Sequence, residues 1–358
     1  MSLSADPART ERVAPGAQFA SDNAAGICPA AMSAWQEANA GYAPGYGDDA
    51  WTERAANRIR EIFETDADVF FTFNGTAANS LSLAALCQSY HSVICSDIAH
   101  VEVDECGGPE FFSNGSKLLL APSHAGKLTS DGIVEIFRRR TDIHYPKPSV
   151  VTVTQSTELG TVYSANEIGQ IGEICRDLGL SLHMDGARFA NGLVSLGVSP
   201  AEMTWKAGVD VLSFGGTKNG LPVGDAVVFF RRSLATDFDY RCKQAGQLAS
   251  KMRFLSAPWL GILSNDVWLE NARQANRMAE RFEHSLRKLP SVEVLYPRQA
   301  NAVFVRLPES AHQQMKQKGW RYYNFIAKGG ARLMCSWATT PADVDSFVAD
   351  LEHSLATS

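Results

Sequence analysis

Apolar residues recur along this chain with two different spacings, and the mixture of spacings changes near residue 232. Before that point, short apolar runs rich in β-branched side chains alternate with segments in which apolar residues return every three or four positions. The runs lie within residues 69–73, 91–100, 117–122, 149–157, 180–185, 209–218 and 225–230. Strands separated by amphipathic helices predict an α/β fold with a mainly parallel sheet covered by helices on both faces.

Helical periodicity dominates beyond residue 232. Residues 237–287 have a largely helical pattern, and short strand-like stretches follow Pro290 before a final helix from Asp343. This pattern predicts a smaller α+β domain after the large one. The length agrees, because 358 residues exceed one ordinary domain and suit a large domain with a smaller companion.

We expect the chain to divide into three parts. Residues 1–16 are polar and predict a flexible N-terminal arm. Residues 17–240 should form the large domain together with its N-terminal segment. Residues 241–358 should contain a linker helix and the small C-terminal domain.

Composition and charge exclude several classes of protein. The formal net charge of −6 argues against a general nucleic-acid binder, which would be basic. No apolar run is long enough to span a membrane, and the N-terminus has no signal-peptide pattern. The seven cysteines are odd in number and form no CxxC pair or zinc-like spacing. We therefore expect reduced thiols, a cytoplasmic location and no metal site.

The first candidate for chemistry is the turn Asn74-Gly75-Thr76, which follows a predicted strand and opens a helix. A helix N-terminus presents free N–H groups and the positive end of its dipole, so it suits a phosphate. Gly75 would let the backbone approach closely, and the Thr76 hydroxyl could donate a hydrogen bond. By itself this turn is a weak signal, because a Gly-Thr start to a helix is more often an ordinary helix cap.

The second and third candidates end two later strands. Asp185 follows the apolar run 180–184, where open α/β sheets bind their ligands, and could pair with a protonated pyridine nitrogen. Arg188 lies one turn further on. Lys218 follows the Gly215-Gly216 turn and could lie in a desolvated pocket, where its pKa falls and its amine becomes a nucleophile toward an aldehyde. Separately, the aspartate could cap a helix and the lysine could lie in solvent. Together, 33 positions apart, they could share one edge of the sheet with the Gly75 turn.

This order of motifs resembles that of the aspartate-aminotransferase fold class of pyridoxal-phosphate (PLP) enzymes. Within that class the chain resembles the low-specificity L-threonine aldolases of the bacterial type, over nearly its whole length after the arm. The matching stretches are FASDNAAGICP, YGDD, FNGTAAN, AHVEVDECGG, LHMDGARFANG, FGGTKNG and ARLMCSW.

The resemblance implies how the cofactor would be bound. Lys218 would carry PLP as a Schiff base, and Asp185 would pair with the pyridine nitrogen. His100 is similar to the family histidine that stacks on the pyridine ring. Gly75 and Thr76 match the phosphate loop.

The resemblance also implies how the substrate would be bound. Arg188 would lie beside the phenolate oxygen of the cofactor and the substrate carboxylate, which Ser21 and Arg332 would also hold. Other members often have a second histidine in the stretch that matches residues 155–160, where this chain has Glu158. His100, Glu158 or a water held by them could therefore take the substrate hydroxyl proton.

The implied activity is cleavage of L-threonine or L-allo-threonine to glycine and acetaldehyde, with the reverse synthesis of β-hydroxy-α-amino acids. Family members are homodimers or homotetramers with active sites at subunit interfaces. A β-eliminating lyase or an aminotransferase on another amino acid would use the same lysine and aspartate and stays open. A binding or regulatory protein that had lost catalysis would usually lack one of the two. A nucleotide-dependent oxidoreductase is disfavoured because no GxGxxG follows the first strand.

Overall fold

The structure is a computed structural model, and it describes residues 18–324 and 330–356. The expected N-terminal arm, residues 1–16, lies outside these ranges.

The large sheet has seven strands in the order β1-β7-β6-β5-β4-β2-β3. The four pairings that join β6, β5, β4, β2 and β3 are all parallel, whereas β7 runs antiparallel to both β1 and β6. The predicted α/β fold with a mainly parallel sheet is confirmed. Its strands are β1 (Asp68–Thr72), β2 (His91–Ser96), β3 (Lys117–Ala121), β4 (Lys147–Thr154), β5 (Ser181–Gly186), β6 (Val211–Phe214) and β7 (Asp225–Phe229).

Helices connect these strands and cover both faces of the sheet. The helix α7 (Ala165–Leu178) shows ordinary capping signals at both ends. Ser164 and Glu167 form a capping box at its start, and Gly179 ends it in the left-handed conformation, as the sequence predicts. The helices up to the last strand are α1 (Pro29–Ala38), α2 (Ala50–Phe63), α3 (Gly75–Leu86), α4 (His100–Val103), α5 (Gly108–Phe112), α6 (Ser130–Arg138), α7 (Ala165–Leu178), α8 (Phe189–Leu196) and α9 (Pro200–Met203).

The remainder of the chain is helical and then α+β. The predicted helical stretch 237–287 contains three helices, and Asn265 and Asp266, both with positive φ, separate the last two. The helices are α10 (Phe238–Gln244), α11 (Arg253–Leu263), α12 (Val267–Leu286), α13 (Glu309–Gln317) and α14 (Pro341–Ala356). The strands β8 (Glu293–Val294), β9 (Ala302–Arg306), β10 (Tyr323–Asn324) and β11 (Gly330–Met334) form an antiparallel sheet in the order β10-β11-β9-β8.

Two hydrophobic cores share α12, one at the start of this helix and one at its end. Residues of this helix up to Ala272 pack with the large sheet, and those from Met278 pack with the small one. The N-terminal segment belongs to the second core as well, because the ring of Phe19 lies 4.8 Å from that of Phe282. We propose that the domain boundary lies within α12, further along the chain than residue 240.

None of the helices in the described ranges combines the length and the apolar character that crossing a membrane requires.

Candidate active site

A cavity of about 330 Å³ lies at the carboxyl edge of the large sheet. Three strand ends meet there, because Asp185 on β5 pairs with Thr154 on β4 and with Ser213 on β6. The volume falls within the range typical of small-molecule sites. The cavity is lined by Asn23, Asn74, Gly75, Thr76, Asn79, His100, Thr154, Ser156, Glu158, Asp185, Ala187, Arg188, Ser213, Gly215, Thr217, Lys218 and Asp225.

The Gly75 turn opens α3 as the sequence predicts. Asn74, not Thr76, caps this helix, and its side-chain oxygen accepts a hydrogen bond of 2.9 Å from the Ala77 N–H. The N–H groups of Gly75 and Thr76 belong to the first turn and have no partner within the helix. Both residues line the cavity, so this helix end can bind a phosphate there.

Asp185 is buried at the end of β5, and each of its carboxylate oxygens accepts a hydrogen bond. Oδ1 accepts from the Ala187 N–H at 2.9 Å, and Oδ2 accepts from the Asn79 side-chain amide at 2.9 Å. These two donors orient the carboxylate within the cavity. Asn79, on the buried face of α3, was not identified from the sequence.

His100 begins α4 and is bonded to a second buried acid, Glu105. The ring Nδ1 lies 2.8 Å from Glu105 Oε1, which also accepts from the Asn79 amide at 2.8 Å. The hydrogen bond to Glu105 raises the pKa of His100 above its ordinary value, although burial opposes this. Glu105 was also not identified from the sequence, although it lies inside the AHVEVDECGG stretch.

Glu158, which this chain has in place of the expected second histidine, is half-buried and lies against His100. Its Oε1 accepts from the His100 backbone N–H at 2.9 Å and from the Thr154 hydroxyl at 2.8 Å. Its Oε2 is buried and has no hydrogen-bond partner among the described residues. Burial raises the pKa of Glu158, so its carboxyl can hold a proton at a higher pH than an exposed glutamate can.

Lys218 follows a turn that only small residues allow. A Cβ on Gly215 would come within 2.5 Å of the Ala187 carbonyl oxygen, so the turn packs directly against the loop after Asp185. Asp225, at the start of β7, fixes the turn because its Oδ1 accepts from the Gly216 N–H at 2.7 Å. Burial lowers the pKa of Lys218, and the charge of Arg188 lowers it further. Its amine is therefore more nucleophilic near neutral pH than a surface lysine.

Arg188 is held by an acid that the sequence analysis did not single out. Its Nε and Nη2 donate to the two oxygens of Asp22 at 2.7 and 2.9 Å. Burial alone would raise the pKa of Asp22, but Arg188 outweighs it and holds that pKa below the ordinary value. The Asn301 amide donates a further bond of 3.1 Å to Asp22, so three distant segments of the chain meet at this carboxylate.

The two other expected substrate residues lie beside the cavity and do not line it. Ser21 caps the short helix Asp22–Ala24 by accepting from the Asn23 N–H at 3.2 Å. Arg332, on β11, donates to the Ala20 carbonyl at 3.1 Å, and its guanidinium lies 5.2 Å from the ring centroid of Tyr323. Burial and the charge of Arg188 lower the pKa of Arg332 to about 10.

His100, Glu105 and Asp185 offer ligand atoms within 4.8 Å of one another, a spacing that a metal ion could use. The Asn79 amide lies between the two carboxylates and donates to both. These bonds are typical of a hydrogen-bond network and not of a cation site, whose ligands would turn their lone pairs to the ion.

The arrangement unites four functions in one cavity: a helix end for a phosphate, a buried acid, an activated amine and a histidine with a carboxylate partner. This set of groups fits PLP, which needs a phosphate site, a partner for the pyridine nitrogen and a lysine.

Comparison with known proteins agrees with this arrangement. The profile of the beta-eliminating lyase family matches residues 18–310. The chain is 60% identical to a low-specificity L-threonine aldolase of a Pseudomonas species over 334 residues, which are 93% of this chain and 96% of that protein. It is 61% identical to the enzyme of the same name from Pseudomonas aeruginosa, with the same coverage. Among solved structures, a threonine aldolase of Leishmania major superposes with a TM-score of 0.89 at 27% identity, covering 94% of this chain and 98% of that one.

Proposed function

The chain belongs to the beta-eliminating lyase family, in the group of the low-specificity L-threonine aldolases, and on that premise we propose that it cleaves L-threonine and L-allo-threonine to glycine and acetaldehyde. The reverse reaction would join glycine to aldehydes. The observation that carries the proposal is the meeting of Lys218, Asp185 and the Gly75 turn in one cavity.

PLP is the cofactor of this enzyme group, and the residues present fit it. Lys218 would hold its aldehyde carbon covalently, Asp185 would pair with the pyridine nitrogen, and Gly75 and Thr76 would bind the phosphate. The ring of His100 would stack on the pyridine. When bound, the cofactor supplies a sink for the electron pair that is released when a bond to the substrate Cα breaks.

Carbon–carbon cleavage requires a group that takes the β-hydroxyl proton. We assign this role first to His100, because its ring lines the cavity and its raised pKa brings it toward the working pH, where general bases are most effective. Glu158 is the second candidate. One of its carboxylate oxygens is engaged by two donors, and the other has no partner in the described ranges.

The substrate carboxylate requires fixed positive charge. Arg188 supplies it at the cavity wall, and its planar guanidinium suits bidentate binding. Ser21 and Arg332 would complete this subsite from the adjoining segment and from β11. Holding the carboxylate would fix the orientation of the bonds at the substrate Cα, and so would decide which bond breaks.

We further propose a homotetramer in the cytoplasm, with active sites at subunit interfaces. Aromatic side chains that stand exposed on the single chain support an interface: Tyr42, Phe111 and Tyr240 are 107%, 77% and 72% exposed. Six cysteines are buried without a disulfide partner in the part of the chain that the structure describes, which supports a reducing compartment. Sedimentation equilibrium of the purified protein would test the subunit number.

Product analysis tests the function directly. The PLP-loaded protein is incubated with L-threonine and separately with L-allo-threonine, and acetaldehyde, glycine, ammonia and oxo acid are measured. We expect acetaldehyde and glycine in equal amounts. Ammonia with an oxo acid would instead identify a β-eliminating lyase, and an oxo acid formed only with an added amino-group acceptor would identify an aminotransferase.

A further inference from the structure

Glu105 occupies the centre of the hydrogen-bond network behind the cavity wall, and the proposed reaction gives it no role. Its side chain is 0% exposed. Its Oε1 lies 2.8 Å from His100 Nδ1 and 2.8 Å from the Asn79 amide nitrogen, whereas its Oε2 is buried without a partner among the described residues. An acid buried so completely is costly unless its bonds serve the groups around it.

The Asn79 amide can have only one orientation here. Its nitrogen donates to Glu105 Oε1 and to Asp185 Oδ2 at 2.8 and 2.9 Å. Rotating the amide by half a turn would put its carbonyl oxygen against both carboxylates, which would repel it. The two acids therefore both act as acceptors, and Asn79 fixes the distance between them.

The Glu105 carboxylate also determines the tautomer of His100. An ionised carboxylate only accepts hydrogen bonds, so the proton between the two groups belongs to His100 Nδ1. The second ring nitrogen, Nε2, is then the one that can take up or release a proton. It lies 3.6 Å from Asp104 Oδ2, whose side chain is 78% exposed, so Nε2 faces the accessible side of the network.

We propose that Glu105 is the positioning residue of the aldol cleavage: it keeps His100 protonated at Nδ1, so that Nε2 takes the β-hydroxyl proton, and it ties this histidine through Asn79 to Asp185. The inference rests on the proposed function, which assigns the β-hydroxyl proton to His100. No covalent step involves Glu105, which does not line the cavity.

Other charges act on His100 and set the scale of the expected effect. Glu105 and Asp185 favour its charged form, Lys218 disfavours it, and the exposed carboxylate of Asp104 lies near Nε2. Glu158 contacts only the backbone N–H of His100. Because Glu105 forms the direct bond to the ring, its loss should lower the pKa of His100 more than the loss of any other neighbour.

The matched experiment compares Glu105→Gln with Glu102→Gln, a change at an exposed glutamate on the short helix that His100 begins. In both variants and the wild type, the ring of His100 is titrated by NMR, with its signal assigned by its absence in His100→Asn. The pH profile of kcat/KM for L-threonine is measured in parallel. Loss of the carboxylate removes charge that favours the imidazolium, so in Glu105→Gln the pKa of His100 should fall by about 1 unit or more.

The acid limb of kcat/KM should move to lower pH by the same amount, because neutral Nε2 then persists at lower pH. At the pH optimum kcat should fall about 10- to 100-fold, as for other residues that orient a functional histidine, with KM nearly unchanged. Glu102→Gln should match the wild type. If Glu105→Gln loses activity but neither the pKa of His100 nor the acid limb of kcat/KM shifts, Glu105 has only a structural role. That result would overturn the inference.

Glu105→Asp keeps the negative charge and serves if the glutamine variant does not fold. Because the charge is kept, the pKa of His100 should stay above that of an exposed histidine. The value of kcat should fall, because the shorter side chain cannot reach Nδ1. An unchanged kcat would contradict the inference. Failure of the proposed function looks different, since wild type would then release no acetaldehyde at any pH. Failure of this inference is an unaltered His100 titration in Glu105→Gln while the wild type cleaves threonine.

Discussion

Two groups of residues at the cavity hold buried carboxylates by opposite means. The crevice, defined by Asn79, His100, Glu105 and Asp185, bonds its acids to an amide and to a titratable ring. The rim, defined by Asp22, Arg188, Asn301 and Arg332, bonds its acid to a guanidinium that stays charged.

The difference separates two tasks. The crevice contains a group that can take up and release a proton, the imidazole of His100, and its hydrogen bond to Glu105 raises its pKa above the ordinary value. At the rim the charges are permanent, because Asp22 has a lowered pKa and the pKa of Arg188 is raised by Asp22 against the effect of burial. The crevice is thus suited to chemistry, and the rim to holding an anion such as a substrate carboxylate.

The largest effect should follow a change in the crevice at Asp185. Asp185→Asn keeps the shape and loses the charge that would pair with the pyridine nitrogen, so kcat for L-threonine should fall on the order of 10²–10³-fold. Steady-state kinetics at saturating PLP measure this fall. Near-normal kcat would mean that the acid is not the partner of the cofactor.

The next test separates the two candidate bases of the crevice. His100→Asn should lower kcat by about 10²-fold or more if its ring takes the hydroxyl proton, and Glu158→Gln should lower it less. The exposed His144 provides the control His144→Asn. A larger loss in Glu158→Gln than in His100→Asn would transfer the role of base to Glu158.

A change at the rim should affect stability and binding more than chemistry. Asp22→Asn removes the partner of an arginine whose side chain is only 14% exposed, so the free energy of unfolding should fall on the order of 3 kcal/mol and KM should rise. Asp48→Asn, at an exposed aspartate, is the control. Urea denaturation and steady-state kinetics measure both quantities, and an unchanged stability would mean that the ion pair is not formed.

Asp22→Asn also tests whether the rim charges are permanent. The folded-state pKa of Asp22 is lowered, so its contribution to stability is present above the ordinary pKa of 3.8 and is lost as pH falls through the lower folded value. The stability difference between wild type and Asp22→Asn should therefore be constant from neutral pH down to about 5 and shrink only below about 4. A difference that changed near pH 7 would contradict a permanent charge.

The smallest effect should come from Ser21. Ser21→Ala removes the cap of a short helix, which costs typically about 1 kcal/mol. If Ser21 also binds the substrate carboxylate, KM should rise without a change in kcat. An unchanged KM would remove Ser21 from the proposed subsite.

The two regions also differ in how well the sequence predicts them. Asp185 and Lys218 end apolar runs in a regular strand–helix alternation, and parallel strands bring such positions to one edge. Glu105 follows a helix of four residues with no periodicity, so only its spacing from His100 could have indicated it.

At the rim, Asp22 lies 166 positions from Arg188 and 279 from Asn301. No local pattern reports a contact over such separations. The packing of Phe19 with Phe282 could not be predicted from the sequence for the same reason. The strand-end chemistry was therefore predictable, and the contacts between the N-terminal segment and the small domain were not.

The most direct test of the central claim is acetaldehyde release from L-threonine by wild type, Lys218→Ala and Lys206→Ala, each after addition of PLP. Lys206 is exposed and pairs with Glu64, so its variant controls for loss of a lysine elsewhere. We predict release by wild type and Lys206→Ala, and none above background by Lys218→Ala. Release by Lys218→Ala at the wild-type rate would contradict it.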